Sequence, residues 1–255
     1  MKRFEFKAKD QKTNKVKTVG SMEIKNLTEE KAQLYFYGDI VNDTWDSYWY
    51  DEDKCPQDIL DFLSQLDGTK ELDVYVNSGG GSVHGGLAIY HQLKRYTGKK
   101  TAYVDGVAGS IASIIPFACD KAIIYDSAQM MIHKPWCGVY GNANDLRKQA
   151  DALDSCQEAI VNIYMENVKD GVTREQIEEM VDAETWLTGS KAQEYFNIEV
   201  QEDSSTLPSF SNFYNMYRHK PKEIEAIKET EIIENKTKES NEKEKLLVEL
   251  ELMTM

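Results

Sequence analysis

Gly106-Val107-Ala108-Gly109-Ser110-Ile111-Ala112-Ser113 follows a β-prone run, residues 100–105, and precedes an almost uncharged segment, residues 111–119. The small residues before Ser110 let a strand turn sharply into a helix, so the junction predicts a strand feeding a buried helix. Ser110 then stands in the first helical turn, beside unpaired backbone N–H groups and the positive end of the helix dipole. Both suit a nucleophile beside which an oxyanion develops. The same stretch also reads as a small-residue helix start packed tightly against a sheet, so a chemical role depends on partners elsewhere in the chain. Ser113 is the competing hydroxyl. It lies a turn further on, away from the free N–H groups of the helix start.

Outward from this junction the chain alternates. Residues 71–76 read as a strand, Asn77-Ser78-Gly79-Gly80-Gly81-Ser82 as a turn, and 83–94 as a helix, giving one βα unit just before the unit that ends at Ser110. Upstream, 33–38 predict an aromatic-rich core strand and 56–66 a helix started by Pro56. Downstream, 121–125 and 129–132 predict short strands, and 145–168 the longest helix, with Leu146, Ala150, Leu153, Ala159, Ile160, Ile163 and Tyr164 on one stripe. Residues 173–180 predict a helix with Thr173 and Gln176 forming a capping box; 189–195 predict a further helix and 198–200 a last strand. Repeated strand–helix alternation implies an α/β domain with a largely parallel sheet.

Residues 1–30 predict an N-terminal arm or hairpin, 31–201 the main domain, and 202–255 a linker followed by an acidic tail, helical or disordered. The linker leads into an aromatic patch at 210–217. The aromatic, acidic segment 44–55 reads as partly packed surface, a subunit contact or a substrate rim. In 255 residues the hydrophobic share of 41% is enough for a core, and the net charge of −14 argues against a nucleic-acid partner. No apolar run resembles a signal peptide or a membrane span, so no membrane partner and a cytoplasmic location are expected. Cys55, Cys119, Cys137 and Cys156 form no Cys-x-x-Cys pair, and no histidines cluster at ligand spacing, so neither metal nor cofactor is expected.

The glycine turn fits neither the dinucleotide nor the P-loop pattern. Such a turn can instead lay N–H groups along a cleft, facing an extended peptide or an oxyanion. His133 ends the run Met130-Met131-Ile132 and precedes Lys134-Pro135, a position suited to a cleft edge. His84 and His91 fall on a predicted helix and His219 in the tail, so His133 is the candidate general base.

Four segments in this order, Asn77-Ser78-Gly79-Gly80-Gly81, Gly106-Val107-Ala108-Gly109-Ser110-Ile111, Met131-Ile132-His133-Lys134-Pro135 and Gly141-Asn142-Ala143-Asn144-Asp145-Leu146, resemble the motif series of the Clp protease proteolytic subunit. The segments 104–108 and Ala183-Glu184-Thr185-Trp186-Leu187-Thr188 make it most similar to the Clp-like head maturation proteases of phages and prophages. The resemblance implies a Clp protease/crotonase-like α/β fold of repeated ββα/βα units, here with an acidic C-terminal tail. It implies Ser110 as nucleophile, His133 as base, and the backbone N–H groups of Gly81 and Ile111 as oxyanion hole. The third member falls at Glu184, where the family usually has Asp, with Asp182 as the alternative acid. It further implies polypeptide substrates such as capsid or scaffold precursors, a ring-shaped homo-oligomer with helix 145–168 between rings, and an AAA+ unfoldase partner, although no axial-loop sequence is evident near the N-terminus. Gly79 stands where the family often has Pro. Two other classes compete with an ATP-independent or ATPase-assisted serine endopeptidase. One is a catalytically weak ring serving as a scaffolding factor, favoured by Glu184 and the tail. The other is an acyl-CoA enzyme of the crotonase type, which calls for acids rather than a Ser/His pair.

Overall fold

The computed structural model describes residues 2–9, 16–25, 31–40, 63–64, 66, 71–202 and 217–221. The expectations for segment 44–55, for most of helix 56–66 and for most of the tail lie outside the described residues. Residues Met1–His219 form one compact unit and Lys220–Met255 another.

Strands β1 (Lys2–Lys9) and β2 (Val16–Lys25) pair antiparallel, and β2 pairs antiparallel with β3 (Lys31–Gly38). From β3 the sheet becomes parallel through β4 (Glu71–Ser78), β5 (Lys100–Gly109), β6 (Lys121–Tyr125) and, at the far edge, β9 (Glu199–Gln201). Alternation decides which face is core. Ala32, Leu34 and Phe36 of β3, and Leu72, Val74 and Val76 of β4, are buried on one side. On the other, Tyr35, Tyr75 and Tyr103 stack across three strands at centroid distances of 4.5 and 5.1 Å. These side chains follow the two-residue period of a pleated strand. The α/β class with a mostly parallel sheet is as expected.

Strand β5 forks. Its first half, Thr101–Val104, pairs with β6, while Val107–Gly109 pairs with β7 (Gln129–Ile132). Strand β7 in turn pairs antiparallel with β8 (Thr185–Thr188). Strand β8 is not among the strands expected from the sequence; it lies between two predicted helices and exists through its pairing with β7.

Helix α1 (Val83–Arg95) crosses between β4 and β5, capped by Ser82, whose hydroxyl accepts from the Gly85 N–H. The segment after β5 is helical and buried, as expected, but it is a 3-10 helix, Ser110–Ala118, rather than an α-helix. Pro116 lies inside it, and in an α-helix its ring would clash with the carbonyl four residues back. Helices α2 (Ala143–Met165), α3 (Arg174–Asp182) and α4 (Gly189–Tyr195) follow. The capping box of Thr173 and Gln176 is present, and a second one, Asn142 with Asp145, starts α2. The expected apolar stripe of α2 is buried only at its C-terminal end, at Ile160, Val161, Ile163 and Tyr164; Leu146 is exposed. Only that end reaches the sheet layer, where Tyr164 packs on Phe117 and Phe196.

Helix α1 meets the 3-10 helix closely enough that a Cβ on Gly86 would lie 2.3 Å from Ile111 Cγ1. A Gly86→Ala chain gains about 1 kcal/mol of helix propensity but overpacks a β-branched neighbour at a cost of about 1–3 kcal/mol. The expected outcome is a net loss of stability, seen as a lower denaturation midpoint.

Candidate active site

The register of three strands assembles the site. Gly109 of β5 lies opposite Met131 of β7, so Ser110 and His133 leave neighbouring strand ends side by side. Ser110 Oγ is 2.7 Å from His133 Nε2. On the other side of β7, Ile132 faces Thr185 of β8. Glu184 therefore lies one residue beyond that pair, next to His133.

Ser110 turns out of β5 with a φ of 52°, and Glu184 enters β8 with the same value. Among the described residues these are the non-glycine positions with positive φ. Left-handed backbone costs an L-residue about 1–2 kcal/mol, and such outliers persist only where the surroundings over-determine them. Here the surroundings include Gly80. A Cβ at that position, where φ is 103°, would fall 2.6 Å from Ser110 Cβ and 2.7 Å from the Gly109 carbonyl oxygen.

Gly81, at φ 144°, is held by Ile40. The Ile40 N–H donates to the Gly80 carbonyl and the Ile40 carbonyl accepts from the Ser82 N–H, both at 2.7 Å. In this parallel bridge Gly81's own N–H plays no part and points away from Ile40. A Cβ on Gly81 would strike the Ile40 carbonyl oxygen at 1.9 Å. Ile111 is the second residue of the 3-10 helix, where backbone N–H groups have no intrahelical acceptor. The two amides expected as oxyanion donors thus belong to the two backbone segments that touch at Ser110.

The competing hydroxyl is elsewhere. Ser113 is fully buried, bonded to the Tyr164 hydroxyl at 2.6 Å and to the Ser110 carbonyl. It braces the helix start from behind and faces no cleft.

The two candidate acids are also separated. Asp182 is exposed and ion-paired with Lys134 at 2.7 Å, a surface contact worth at most about 1 kcal/mol. Glu184 is the one whose charge reaches the His133 imidazole. Its carboxylate accepts from the His219 backbone N–H at 2.7 Å and from Trp186 Nε1 at 3.5 Å. Among the described residues, His133 bonds to Ser110 and to no carboxylate. Burial holds the His133 pKa below its ordinary value, and the negative charge of Glu184 only partly offsets this. The imidazole is therefore neutral at pH 7 and can accept a proton.

A cleft of about 210 Å³ opens beside the pair, lined by His133, Trp136, Asp182, Glu184, Arg218 and His219 among others. Two neighbours of the site escaped the sequence reading. Ile40 carries no chemical signal at all. Tyr217, signalled only by the aromatic patch after the linker, packs edge-on against His133 at 5.1 Å. His219, read as a tail residue, meets Glu184 through its backbone. Among the described residues no group of His, Cys, Asp and Glu is arranged to hold a metal, and no helix is long and apolar enough to cross a membrane.

A hydroxyl in hydrogen-bond contact with a neutral imidazole, at the end of a parallel strand and beside glycine-turn amides, is the arrangement used in serine-type acyl transfer. Comparison with known proteins gives a family. Residues 51–199 match the family model described as Clp protease. The chain is 32% identical over 150 residues to ATP-dependent Clp protease proteolytic subunit 1 of Chlamydia abortus, covering 56% of this chain and 77% of that protein. It is 32% identical over 167 residues to the protein of the same description from Corynebacterium jeikeium, covering 65% and 84%. The solved structure of an asparagine-to-aspartate mutant of ClpP1 from Listeria monocytogenes shares the fold, with a TM-score of 0.54 and 22% identity over 67% of this chain and 91% of that one. The chain belongs to the Clp protease family, whose members are serine peptidases.

The imidazole yields a direct check. NMR titration of the His133 ring should give a pKa below 6.5, and Glu184→Gln, which removes a charge that favours the imidazolium, should lower it further. Because the unfolded chain binds this proton more readily, His133's contribution to stability is complete above about pH 6.5 and declines as the pH falls toward the folded-state value.

Proposed function

We propose that the protein is a serine endopeptidase of the Clp type that hydrolyses polypeptides through an acyl-enzyme. The 2.7 Å contact between Ser110 Oγ and His133 Nε2 carries this reading. His133 takes the proton of Ser110 as the hydroxyl attacks the scissile carbonyl. The N–H groups of Gly81 and Ile111 stabilise the tetrahedral oxyanion, each worth roughly 3 kcal/mol in a water-excluded site. His133 then returns the proton to the leaving amine, and a water activated by the same imidazole releases the acyl group. Glu184 is the acid of the triad, orienting the ring and stabilising the imidazolium. Its place in the β7–β8 register supports it over Asp182, which is engaged by Lys134. No cofactor or metal enters these steps.

The reading extends to assembly. Trp136, Val139, Tyr140 and Leu146 are exposed apolar residues before and at the start of α2. This face supports a ring-shaped homo-oligomer in which α2 contributes to the contacts between rings. The relatives' description as ATP-dependent supports an AAA+ unfoldase partner. The finer assignment, a cytoplasmic head maturation protease of a phage or prophage acting on capsid or scaffold precursors, draws on segments 104–108 and 183–188 of the sequence. A second reading, a catalytically weak ring serving as a scaffold, draws on the Glu184 carboxylate being engaged by His219 rather than by His133.

Ser110→Ala should lower hydrolysis of casein or a capsid precursor by roughly a thousandfold or more, since removing a serine nucleophile removes the covalent route. Mass analysis of the cleavage products checks this, and hydrolysis at an undiminished rate would overturn the assignment. Glu184→Gln should reduce turnover far more than Asp182→Asn. Equal effects would remove Glu184 from the triad.

A further inference from the structure

We propose that Tyr217 is an intramolecular plug that holds the Ser110–His133 site latent in the full-length chain, with the His219 backbone fastening the segment to Glu184. The inference rests on the reading of Ser110 as nucleophile and adds a regulation of that site. Tyr217 is 5% exposed although it lies beyond the last strand of the sheet. Its hydroxyl donates to the Gly79 carbonyl and also engages the Ser110 side chain. Its ring stands edge-on to His133 at 5.1 Å and to Trp186 at 5.9 Å. Two residues on, the His219 N–H donates to Glu184 at 2.7 Å, and His219 Nδ1 lies 3.0 Å from the Ala183 carbonyl.

These contacts obstruct the chemistry in two ways. A carbonyl under attack must come within about 3–3.5 Å of Ser110 Oγ, and the phenol occupies that approach. The Gly79 carbonyl, on the glycine turn where an extended substrate would pair, is already taken by the phenol. Burial raises the Tyr217 pKa well above its ordinary value, so the hydroxyl remains a donor at neutral pH. The second obstruction concerns the acid. Glu184 Oε1 accepts from the His219 N–H at 2.7 Å and from Trp186 Nε1, and among the described residues no hydrogen bond joins this carboxylate to His133. Displacing the segment would clear the nucleophile and free Glu184 to accept the His133 Nδ1–H. A polypeptide that competes for the Gly79 carbonyl is the chemistry that would displace it.

The test is the rate at which a fluorophosphonate probe labels full-length wild-type, Tyr217→Ala, Tyr217→Phe and Ser110→Ala proteins, each first shown by melting to be folded. If the site is open only about a tenth of the time, labelling of Tyr217→Ala should be about tenfold faster than wild type, because apparent reactivity scales with the competent fraction. Tyr217→Phe keeps the ring, loses the hydroxyl's bonds and should fall between them. It carries the test alone if the alanine chain does not fold. Wild type labelling on Ser110 as fast as the Tyr217 variants would overturn the plug and leave the nucleophile in place. Labelling of none of the proteins would overturn the nucleophile and the plug together.

Discussion

The site depends on the division of strand β5 between two partners. Had β5 stayed paired with β6 along its whole length, no strand end would have been available to carry His133 to Ser110. Pairing Val107–Gly109 with β7 instead brings two strand ends together, and the pairing of β7 with β8 brings Glu184 to the same place. Backbone register thereby gathers residues that are far apart in sequence. The fork has its own support on the β4 side, where the ladder shifts between Val76 and Ser78. There the buried Asn77 side chain accepts from the Val107 N–H at 3.3 Å, supplying the acceptor that the interrupted ladder does not.

Steric exclusion does the rest. Gly80 and Gly81 allow one backbone segment to lie against Ser110 on one side and against Ile40 on the other, at separations no side chain would tolerate. Ser110 adopts a left-handed conformation that is unfavourable by itself. It is held by the short turn from β5, by the Ser113 hydroxyl on its carbonyl, and by the Tyr164 hydroxyl behind Ser113. The polar pair beneath Ser110 is thus a structural brace that anchors the 3-10 helix to the buried end of α2.

Electrostatics then separates residues of similar type. His133 is half-buried and desolvation keeps it neutral, whereas His84 and His219 are exposed and His91 lies on the outer face of α1. Of the two carboxylates near the cleft, Asp182 is tied to a lysine and Glu184 to a backbone amide from the C-terminal segment. Ser110 and His133 are therefore in direct contact, whereas Glu184 accepts its bonds from Trp186 and from His219, a residue beyond the last strand of the sheet.

The amino-acid sequence by itself determined the α/β alternation, the core strands, the capping of α3 and the residues Ser110 and His133 as candidates, while Gly81 and Ile111 came from the resemblance of its motifs to the Clp family. Strand and helix periods, capping chemistry and glycine turns are local, and local rules can be read from a chain without coordinates. Tertiary structure alone decided what those rules do not reach. It made the segment after Ser110 a 3-10 helix, left the outer end of α2 exposed, and paired the four residues of β8 with β7. It also set Ile40 against Gly81 and brought Tyr217 onto His133. These are contacts between segments whose separation along the chain carries no signal, because strand pairing and side-chain packing depend on which surfaces meet after the chain has folded.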